Sequence, residues 1–532
     1  MAARQPGRND AVVGGAGSWW RDSGRSAGGD LGLSDLFVGL DLGTSAIKVG
    51  LFDMAGRLWS LGRQEYPLYS PHPGWAEQEP EAWWDAACAA LHEVTATSGA
   101  DPGRIVAVGL SGQAPSQVLV AADGATLGRA ILWSDQRAGA EAAWLGERIT
   151  PQQAQAWTGS AFISGVTQPP ARLLWLMKHR PDDWERCAAV LQPKDLIALR
   201  LTGCMATDRN SSYGLFNPTT GRYHGDYLAL LEVEPEKMPP VVAPSEAGGE
   251  VTLEAAAASG LRVGTPVFSG TIDAWCDIIG CGGVAPGCAV DVAGTSEVVA
   301  LVTDRPAEGD GVHSAWLADD LYWVGGPMQT GGAALAWLAR GFYGGGVGFE
   351  ELEADASSVP PGASGLLFLP YLEGERAPLW DASARGAFVG LTGRHTRAHC
   401  ARAVYEGVAF AVHDILARSE AAAGIRPAAL RVSGGGSRSA FWNQVKADVI
   451  GRPVQQMAVS DAACLGAALI ASVGVGAFDR LTAAAEAMAN PVVLFEPRMS
   501  HTTKYDDLFA TWRELYLALR PTFLRLKGKE DQ

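Results

Sequence analysis

One phrase occurs twice in the sequence, and this repetition constrains the fold more than any other feature. Residues 36–53 read LFVGLDLGTSAIKVGLFD, and residues 289–302 read AVDVAGTSEVVALV. In both, an apolar run enters Gly-Thr-Ser and a second apolar run leaves it, which predicts two strands joined by a tight turn. The copies lie about 250 residues apart. We therefore predict a duplicated domain, with halves over 35–284 and 285–520.

Strand composition and helical spacing alternate along both halves. The predicted strands include 105–110, 118–120 and 430–432, and the predicted helices include 81–94, 397–419 and 439–450. Such alternation is typical of α/β domains, in which helices cover a central sheet. The sequence therefore predicts two α/β domains with a ligand site in the cleft between them.

Composition and charge exclude several classes of protein. Of the 532 residues, 47% are apolar and 19% are charged, which is the balance of a folded chain. The formal net charge is −16, so no nucleic acid partner is expected, because phosphate backbones bind basic surfaces. The longest weakly polar run, 465–478, is too short to span a bilayer, and no membrane partner is expected.

The cysteines and the two ends of the chain give further expectations. The eight cysteines contain no CxxC pair, which argues against a zinc site and a disulfide framework. We predict buried thiols in a reducing compartment, and hence a cytoplasmic protein. Residues 1–34 are rich in Gly and lack apolar periodicity, which predicts a disordered leader. A frayed tail is predicted over 521–532.

Glycine-rich turns mark the candidate ligand sites. A Gly-Thr-Ser tip offers backbone N–H groups and two hydroxyls to an anion, and the tips at 43–45 and 294–296 can hold a polyphosphate from both sides. A third turn, 434–436, leaves room for a flat ring or a phosphate. Asp41 precedes the first tip and either caps the turn by local hydrogen bonds or orients Mg²⁺ against the phosphates. No GxxxxGK[ST] motif occurs, which excludes a Walker P-loop.

The chain resembles the FGGY family of carbohydrate kinases, and within it the xylulokinase branch. The resemblance rests on the order and spacing of motifs along 37–475. These motifs include DLGTSAIKVGLFD at 41–53, GLSGQ at 109–113, ILWSDQR at 131–137, QPKDLIALRLTG at 192–203, ATDRNSS at 206–212, GTPVFSGTIDA at 264–274, AGTSE at 293–297, FLPYLEGERAP at 368–378 and SGGGSRSAFWNQVKADVIGRPV at 433–454.

This resemblance implies a fold, an activity and two cofactors. The fold is that of two duplicated ribonuclease-H-like domains of the actin, sugar kinase and Hsp70 type, with the active site in the interdomain cleft. The activity is transfer of the ATP γ-phosphate to a sugar hydroxyl with the help of Mg²⁺. A homodimer is a family-level expectation. A catalytically silent regulator of the same fold, binding sugar or nucleotide, is the alternative function.

The resemblance also implies roles for individual residues. Asp273 corresponds to the catalytic general base, although the residues alone also allow a helix N-cap there, because Ala274 and Trp275 could open a helix. Asp41 corresponds to the residue that meets Mg²⁺ and the reacting phosphate. The implied phosphate-binding residues are Gly43, Thr44, Ser45, Gly294 and Thr295, the implied adenosine-binding residues are Gly434, Gly435, Gly436, Ser439 and Asn443, and the implied substrate-binding residues are Gln113, Ala114, Pro115, Trp133, Asp135, Asp273 and Ala274.

Two departures from the xylulokinase pattern leave the acceptor open. Xylulokinases carry Met-His after the Gly-Gln, where this sequence has Ala114 and Pro115, and they follow the base with Asn, where it has Ala274. Trp83 and Trp84 lie in a segment that lines the sugar face in relatives, with packing in the core as the alternative. We expect the acceptor among pentuloses, polyols and aldonates.

Overall fold

The computed structural model describes residues 34–159 and 165–530. The predicted leader, apart from Ser34, and residues 531–532 of the predicted tail lie outside these ranges.

The first half is built on a mixed sheet. Its strands are β1 (Leu36–Leu42), β2 (Ala46–Asp53), β3 (Leu58–Glu65), β4 (Ile105–Gly112), β5 (Ala247–Glu250) and β6 (Pro266–Ile272). They lie in the order β5-β6-β4-β1-β2-β3. A separate pair, Val118–Ala121 with Cys187–Leu191, lies outside this sheet.

The second half has a sheet of its own. Its strands are β7 (Ala289–Ala293), β8 (Glu297–Thr303), β9 (His313–Ala318), β10 (Leu321–Pro327), β11 (Leu430–Ser433), β12 (Val454–Met457) and β13 (Pro491–Phe495). They lie in the order β9-β10-β8-β7-β11-β12-β13.

The two sheets share one topology. In the first, β1, β2 and β3 pair antiparallel in succession, while β4 lies parallel to β1 and β6 parallel to β4. In the second, β7, β8 and β10 pair antiparallel in succession, while β11 lies parallel to β7 and β12 parallel to β11. The two Gly-Thr-Ser turns join corresponding strands, β1 to β2 and β7 to β8. The predicted duplication of an α/β domain is therefore confirmed.

Helices cover both sheets. They are α1 (Pro80–Ser98), α2 (Gly139–Arg148), α3 (Pro151–Thr158), α4 (Pro169–His179), α5 (Pro181–Arg186), α6 (Pro193–Thr202), α7 (Gly225–Leu230), α8 (Leu253–Ser259), α9 (Asp273–Gly280), α10 (Gly332–Phe342), α11 (Phe349–Ser357), α12 (Arg397–Ala423), α13 (Ala440–Ile450), α14 (Ala462–Gly474), α15 (Leu481–Met488) and α16 (Met499–Glu530). The helices predicted from spacing correspond to α1, α12 and α13. Helix α1 begins at a proline and ends at Gly99, whose φ of 62° is the left-handed conformation that closes a helix.

The two halves share an apolar core. It includes Phe37 and Phe268 from the first sheet and Val290 and Trp323 from the second. Helices α9 and α14 lie within this core, and α14, although it belongs to the second half in sequence, packs on β1 and β4 of the first sheet. The apolar core is therefore continuous across the predicted division near residue 284.

Glycines let α14 approach its neighbours so closely that no side chain fits. A Cβ atom would collide with a facing carbonyl oxygen at each of four glycines, at 1.8 Å from Cys464 for Gly39, 1.9 Å from Ala467 for Gly109, 1.9 Å from Ala462 for Gly280 and 1.9 Å from Cys276 for Gly466. Gly280 on α9 and Gly466 on α14 thus set the separation of the two helices.

The C-terminal segment is helical where a frayed tail is predicted over 521–532: α16 continues through Pro521 to Glu530. Within it, Phe523 is buried in the core of the second half. Within the described ranges, no helix combines the length and apolarity needed to cross a bilayer.

All eight cysteines are free thiols. Five of them are buried, whereas Cys204 is exposed and Cys88 and Cys288 are half-buried. The prediction of buried thiols therefore holds for the five and is wrong for Cys204.

Candidate active site

Asp41 lies at the end of β1, where the first Gly-Thr-Ser turn begins. Its side chain is buried, and its Oδ1 accepts a hydrogen bond of 2.8 Å from the hydroxyl of Ser111, near the end of β4. Burial raises the pKa of the Asp41 carboxyl, while Lys48 and the Ser111 hydrogen bond lower it. The neighbouring strand therefore fixes this carboxyl at the mouth of the turn.

Lys48 connects the two halves beside Asp41. It is the register partner of Asp41 on β2, and its Nζ lies 3.0 Å from Oδ1 of Asp461, the N-cap residue of α14. Burial alone would lower the pKa of the Lys48 amine, but Asp41 and Asp461 raise it above its usual value. Lys48 was not among the predicted site residues, although a turn at 43–45 places it opposite Asp41 in the hairpin register.

Asp273 is the first residue of α9 and directly follows β6. The N-cap of α9 is Ile272, and Oδ1 of Asp273 accepts a hydrogen bond of 2.7 Å from the N–H of Ala274. The N-cap alternative is therefore not what the structure has. Burial, with a further contribution from Asp41, raises the pKa of Asp273 to about 7. A carboxyl of this pKa is suited to exchange a proton near neutrality.

Asp277 and Tyr66 complete an acidic region around Asp41 and Asp273. Burial raises the pKa of Asp277 well above its usual value, and Asp41 and Asp273 raise it further. The Tyr66 phenol donates a hydrogen bond to the carbonyl of Gly43; burial raises its pKa, and the same two aspartates add to this effect. Three carboxyls close to one another therefore favour a carboxyl that retains its proton.

The first Gly-Thr-Ser turn is held by side chains from three other segments. The Gln78 amide donates to the carbonyl of Thr44 at 2.7 Å, and the Trp133 indole donates to the Thr44 hydroxyl at 3.0 Å. The Gln113 amide lies 3.4 Å from the carbonyl of Gly43, to which it donates. Two residues predicted to bind substrate, Gln113 and Trp133, therefore lie against the turn predicted to bind phosphate.

The second Gly-Thr-Ser turn and the third glycine turn are packed together. A Cβ atom at Gly434 would lie 2.6 Å from the carbonyl oxygen of Ala293, and one at Gly436 would lie 2.9 Å from the Ala293 Cβ. At Gly435, by contrast, no atom among the described residues lies within 4 Å of such a Cβ. The backbone there borders open space that a flat ring could occupy.

Ser439 and Asn443 shape the glycine turn from its C-terminal side. The Ser439 hydroxyl accepts a hydrogen bond of 2.9 Å from the N–H of Trp442 and thereby caps α13. Asn443 is buried, and its amide donates to the carbonyl of Ser437 at 2.7 Å. Ser439 therefore caps α13, and Asn443 holds the backbone at Ser437, directly after the turn.

The duplication does not extend to Asp41. Aligning Gly43 with Gly294 places Val292 at the position of Asp41, and Asp291 one residue earlier. Because successive strand residues point to opposite faces of a sheet, Asp291 points away from the side that Asp41 occupies in the first half. The aspartate in each repeated phrase therefore has a different role.

Asp291 belongs to a buried charge cluster beneath the second turn. The Nζ of Lys446 lies 2.5 Å from Asp291 and 3.1 Å from Glu297, and all three side chains are buried. Burial and the Asp291 carboxylate raise the pKa of Glu297 to about 8. The cluster anchors α13 to the second sheet.

The sugar side of the predicted site is lined in part by apolar surface. Ala114 and Pro115 are half-buried. The buried Arg172 donates to the carbonyl of Pro115 at 2.7 Å and also to the carbonyl of Leu132, and burial lowers its pKa to about 9. Arg172 thus ties the loop at 114–115 to the loop that carries Trp133.

Asp135 and Trp83 are supporting residues in this structure. Asp135 is fully buried, and its Oδ2 accepts hydrogen bonds from the N–H of Ala76 at 2.6 Å and from Arg137 at 2.8 Å. Trp83 is fully buried, while Trp84 is partly buried and packs against the core of the first half. Asp135 therefore supports the Trp133 loop, and its contact with substrate stays a prediction.

Comparison with known proteins identifies the family. Residues 36–280 match the N-terminal domain of the FGGY family of carbohydrate kinases, and residues 289–475 match its C-terminal domain. Xylulose kinase of Bacillus subtilis is 30% identical over 497 residues, which cover 92% of this chain and 98% of that protein. L-xylulose/3-keto-L-gulonate kinase of Escherichia coli is 32% identical over 507 residues, 93% of this chain and 99% of that protein.

A solved structure shares the fold over the same span. The crystal structure of gluconate kinase from Lactobacillus acidophilus superposes with a TM-score of 0.84 at 27% identity, covering 92% of this chain and 99% of that one. The expected two-domain fold of the sugar kinases is thereby confirmed. The chain belongs to the FGGY family of carbohydrate kinases and is xylulokinase-like.

Proposed function

We propose that the protein transfers the γ-phosphate of ATP to a hydroxyl of a small sugar, with Asp273 as the general base. The observation that carries this proposal is the Asp273 carboxyl, whose pKa of about 7 arises from burial and from the neighbouring Asp41. A hydroxyl nucleophile needs a proton acceptor in line with the phosphorus. Asp273 follows the strand end beside Ser111 and Asp41, and is therefore next to the first phosphate turn.

The described residues fit a nucleoside triphosphate. The turns at 43–45 and 294–296 supply backbone N–H groups to the phosphates, and Lys48 adds a positive charge beside Asp41. The open space at Gly435 fits the adenosine. In this proposal the two halves hold the nucleotide from opposite sides.

Asp41 fits the Mg²⁺ that accompanies ATP. Mg²⁺ is commonly held by one or two carboxylates together with substrate phosphates. Over 34–159 and 165–530, no group of three or more His, Cys, Asp or Glu side chains could hold a metal by itself, which suits an ion shared with the nucleotide. When bound, Mg²⁺ neutralises charge on the transferring phosphate.

The acceptor in this proposal is a pentulose such as xylulose, another ketose, a polyol or an aldonate. We call residues 113–116 the acceptor loop; its Gln113 contacts the first turn, as does Trp133. Pro115 and Ala274 stand where xylulokinases carry His and Asn, so two polar contacts to the sugar are replaced by apolar groups. We therefore expect the preferred acceptor to differ from D-xylulose in the hydroxyls that these contacts would reach.

The experiment is a coupled ADP-release assay over a panel of ketoses, polyols and aldonates, followed by Asp273→Asn with the best acceptor. A missing general base lowers the rate by about 10²–10⁴-fold, so we expect that loss in kcat without loss of thermal stability or ATP affinity. Asp277→Asn on the same helix tests the neighbouring carboxyl. Its amide oxygen can still accept the hydrogen bond from Ala463, so the variant should fold, and it should keep its kcat if Asp273 is the base.

Two outcomes would contradict the proposal. One is a wild-type protein whose ATP turnover is independent of every added acceptor. The other is an Asp273→Asn variant that keeps more than about a tenth of the wild-type kcat, a loss too small for a missing base. In the second case Asp41 and Asp277 become the candidates for the base.

A further inference from the structure

A buried polar cluster lies behind Asp273 and the acceptor loop. We call it the Lys194 cluster; its members are Lys194, Asp195, Asp208, Asn210 and Thr271, all of which are buried. They come from α6, from the segment after it and from the end of β6. None of them is among the residues assigned to ATP or to the acceptor.

Lys194 is the charged centre of the cluster. Its Nζ lies 2.6 Å from Oδ1 of Asp195 and 3.0 Å from Oδ1 of Asp208. Burial alone would lower the pKa of Lys194, but the two carboxylates raise it above its usual value. A buried charge that loses a partner costs several kcal/mol, so these three side chains have little freedom to move.

Asp208 connects this centre to β6, the strand directly before Asp273. The hydroxyl of Thr271 donates to Oδ2 of Asp208 at 2.8 Å and accepts a hydrogen bond of 3.1 Å from the Asn210 amide. Thr271 lies two residues before Asp273, at the end of β6. Its hydroxyl therefore fixes the backbone from which the base projects.

The same cluster holds the acceptor loop. The amide oxygen of Gln192 accepts a hydrogen bond of 2.8 Å from the N–H of Ser116, directly after Pro115. The N–H of Gln192 in turn donates to Oδ2 of Asp195 at 3.1 Å. Through Gln192, the cluster thus links the strand that leads to the base with the loop that faces the acceptor.

We propose that Thr271 is a positioning residue for phosphoryl transfer, fixed by the Lys194 cluster so that Asp273 meets the acceptor hydroxyl held by the loop at 113–116. The inference rests on the proposed function of Asp273. A positioning residue matters for the rate because reacting atoms must lie about 3–3.5 Å apart, and a displacement of about 1 Å can cost 10²-fold in rate. Because the members of the cluster are buried, the relative position of the loop and the base does not depend on solvent-exposed side chains.

The test compares Thr271→Val, which keeps the shape and removes the hydroxyl, with Thr271→Ser, which keeps the hydroxyl. Thr303→Val is the matched control, since Thr303 is also buried at a strand end and donates one hydrogen bond, of 2.7 Å, to the carbonyl of Arg305. In Thr271→Val, Asp208 retains Lys194 and the N–H of Asn210, so we expect the variant to fold.

We expect Thr271→Val to lower kcat by about 10- to 100-fold with the KM for ATP unchanged, and with a change in Tm no larger than that of Thr303→Val. Thr271→Ser should restore most of kcat. A merely structural threonine would change Tm and leave kcat of the folded fraction at the control value.

Three outcomes would overturn the proposal. A kcat of Thr271→Val within about threefold of the Thr303→Val control, well short of the loss for a displaced base, shows that the hydroxyl does not position Asp273. An equal loss of kcat in Thr271→Ser shows that something other than the hydroxyl matters. An active Asp273→Asn variant removes the proposed base, and the positioning role with it; the first two outcomes leave the base standing if Asp273→Asn is inactive.

Discussion

Substituting Gly466 with Ala perturbs the crossing of α14 and α9 at one known point. The new Cβ would lie 1.9 Å from the carbonyl oxygen of Cys276, 2.7 Å from its carbonyl carbon and 2.9 Å from its Cα. These are backbone atoms, so no rotamer change relieves the collision. Reaching van der Waals contact requires the two helices to separate by about 1.5 Å.

The expected effect on activity exceeds the effect on stability. Overpacking typically costs about 1–3 kcal/mol, partly offset by the higher helix propensity of Ala, about 0.5–1 kcal/mol. The net loss corresponds to a fall in Tm of a few degrees. Asp273 lies three residues before Cys276 on the same short helix, and moving a catalytic group by about 1 Å can cost 10²-fold in rate. We therefore expect kcat to fall about 100-fold while the protein remains folded at 25 °C.

Thermal unfolding and the coupled ADP assay measure the two effects on one sample. Gly341→Ala on α10 is the control, because no described atom lies within 4 Å of a Cβ at Gly341. That variant should gain about 0.5–1 kcal/mol in stability and keep its kcat. If Gly466→Ala matches Gly341→Ala in both Tm and kcat, the inference that α14 and α9 leave no room for a side chain at Gly466 is contradicted.

Four further predictions concern the pH dependence of activity, the pH dependence of stability, the acceptor, and the buried charge cluster of Asp291, Glu297 and Lys446. Since Asp273 must lose its proton to act as a base and its pKa is raised from 3.8 to about 7, kcat/KM should fall about tenfold per pH unit below that value; a flat profile from about pH 5 to 8 contradicts this. In the folded protein Asp273 binds its proton more tightly than in the unfolded chain, so stability is lost as pH rises from 3.8 to about 7, and Asp273→Asn should exceed the wild type in Tm at about pH 8 but not at about pH 4. D-Xylulose should show a lower kcat/KM than another acceptor in the panel, because a lost hydrogen bond costs about 0.5–1.5 kcal/mol; the highest kcat/KM with D-xylulose would refute this. Lys446→Met leaves Asp291 and Glu297 buried without their cation and should cost about 3–5 kcal/mol in urea unfolding; a loss below about 1 kcal/mol would show that water compensates the carboxylates.

The parts of the site that follow from local sequence could be predicted. The turns at 43–45 and 294–296 are bounded by apolar runs with strand character, so their positions and their pairing were both readable. The same register places Lys48 opposite Asp41, so the position of Lys48 also follows from local sequence. Asp273 is the N-cap of a helix or its first residue depending on a shift of one residue in the helix start. The sequence alone allows both positions.

Other features depend on contacts that no local pattern encodes. Helix α14 is buried on nearly all sides, so its sequence has no polar face to indicate direction, and nothing in it indicates packing on the first sheet. Trp133 and Asp135 lie two residues apart, yet one contacts the phosphate turn and the other is enclosed by Ala76 and Arg137. The motif indicates that both residues lie near the candidate site. It does not indicate which of the two side chains is already enclosed by protein partners.

The position of α14 also affects how the chain folds during its synthesis. The last element of the first half, α9, is complete at Gly280, but α14 ends only at Gly474. At roughly 5–20 residues per second, the ribosome needs roughly 10–40 s to make the intervening segment. During that time the groove over Gly39 and Gly109 lacks its helix, and an apolar face of the nascent chain stays open. The first half therefore completes its core only when the second half is nearly made, so we expect neither repeat to reach its final packing alone.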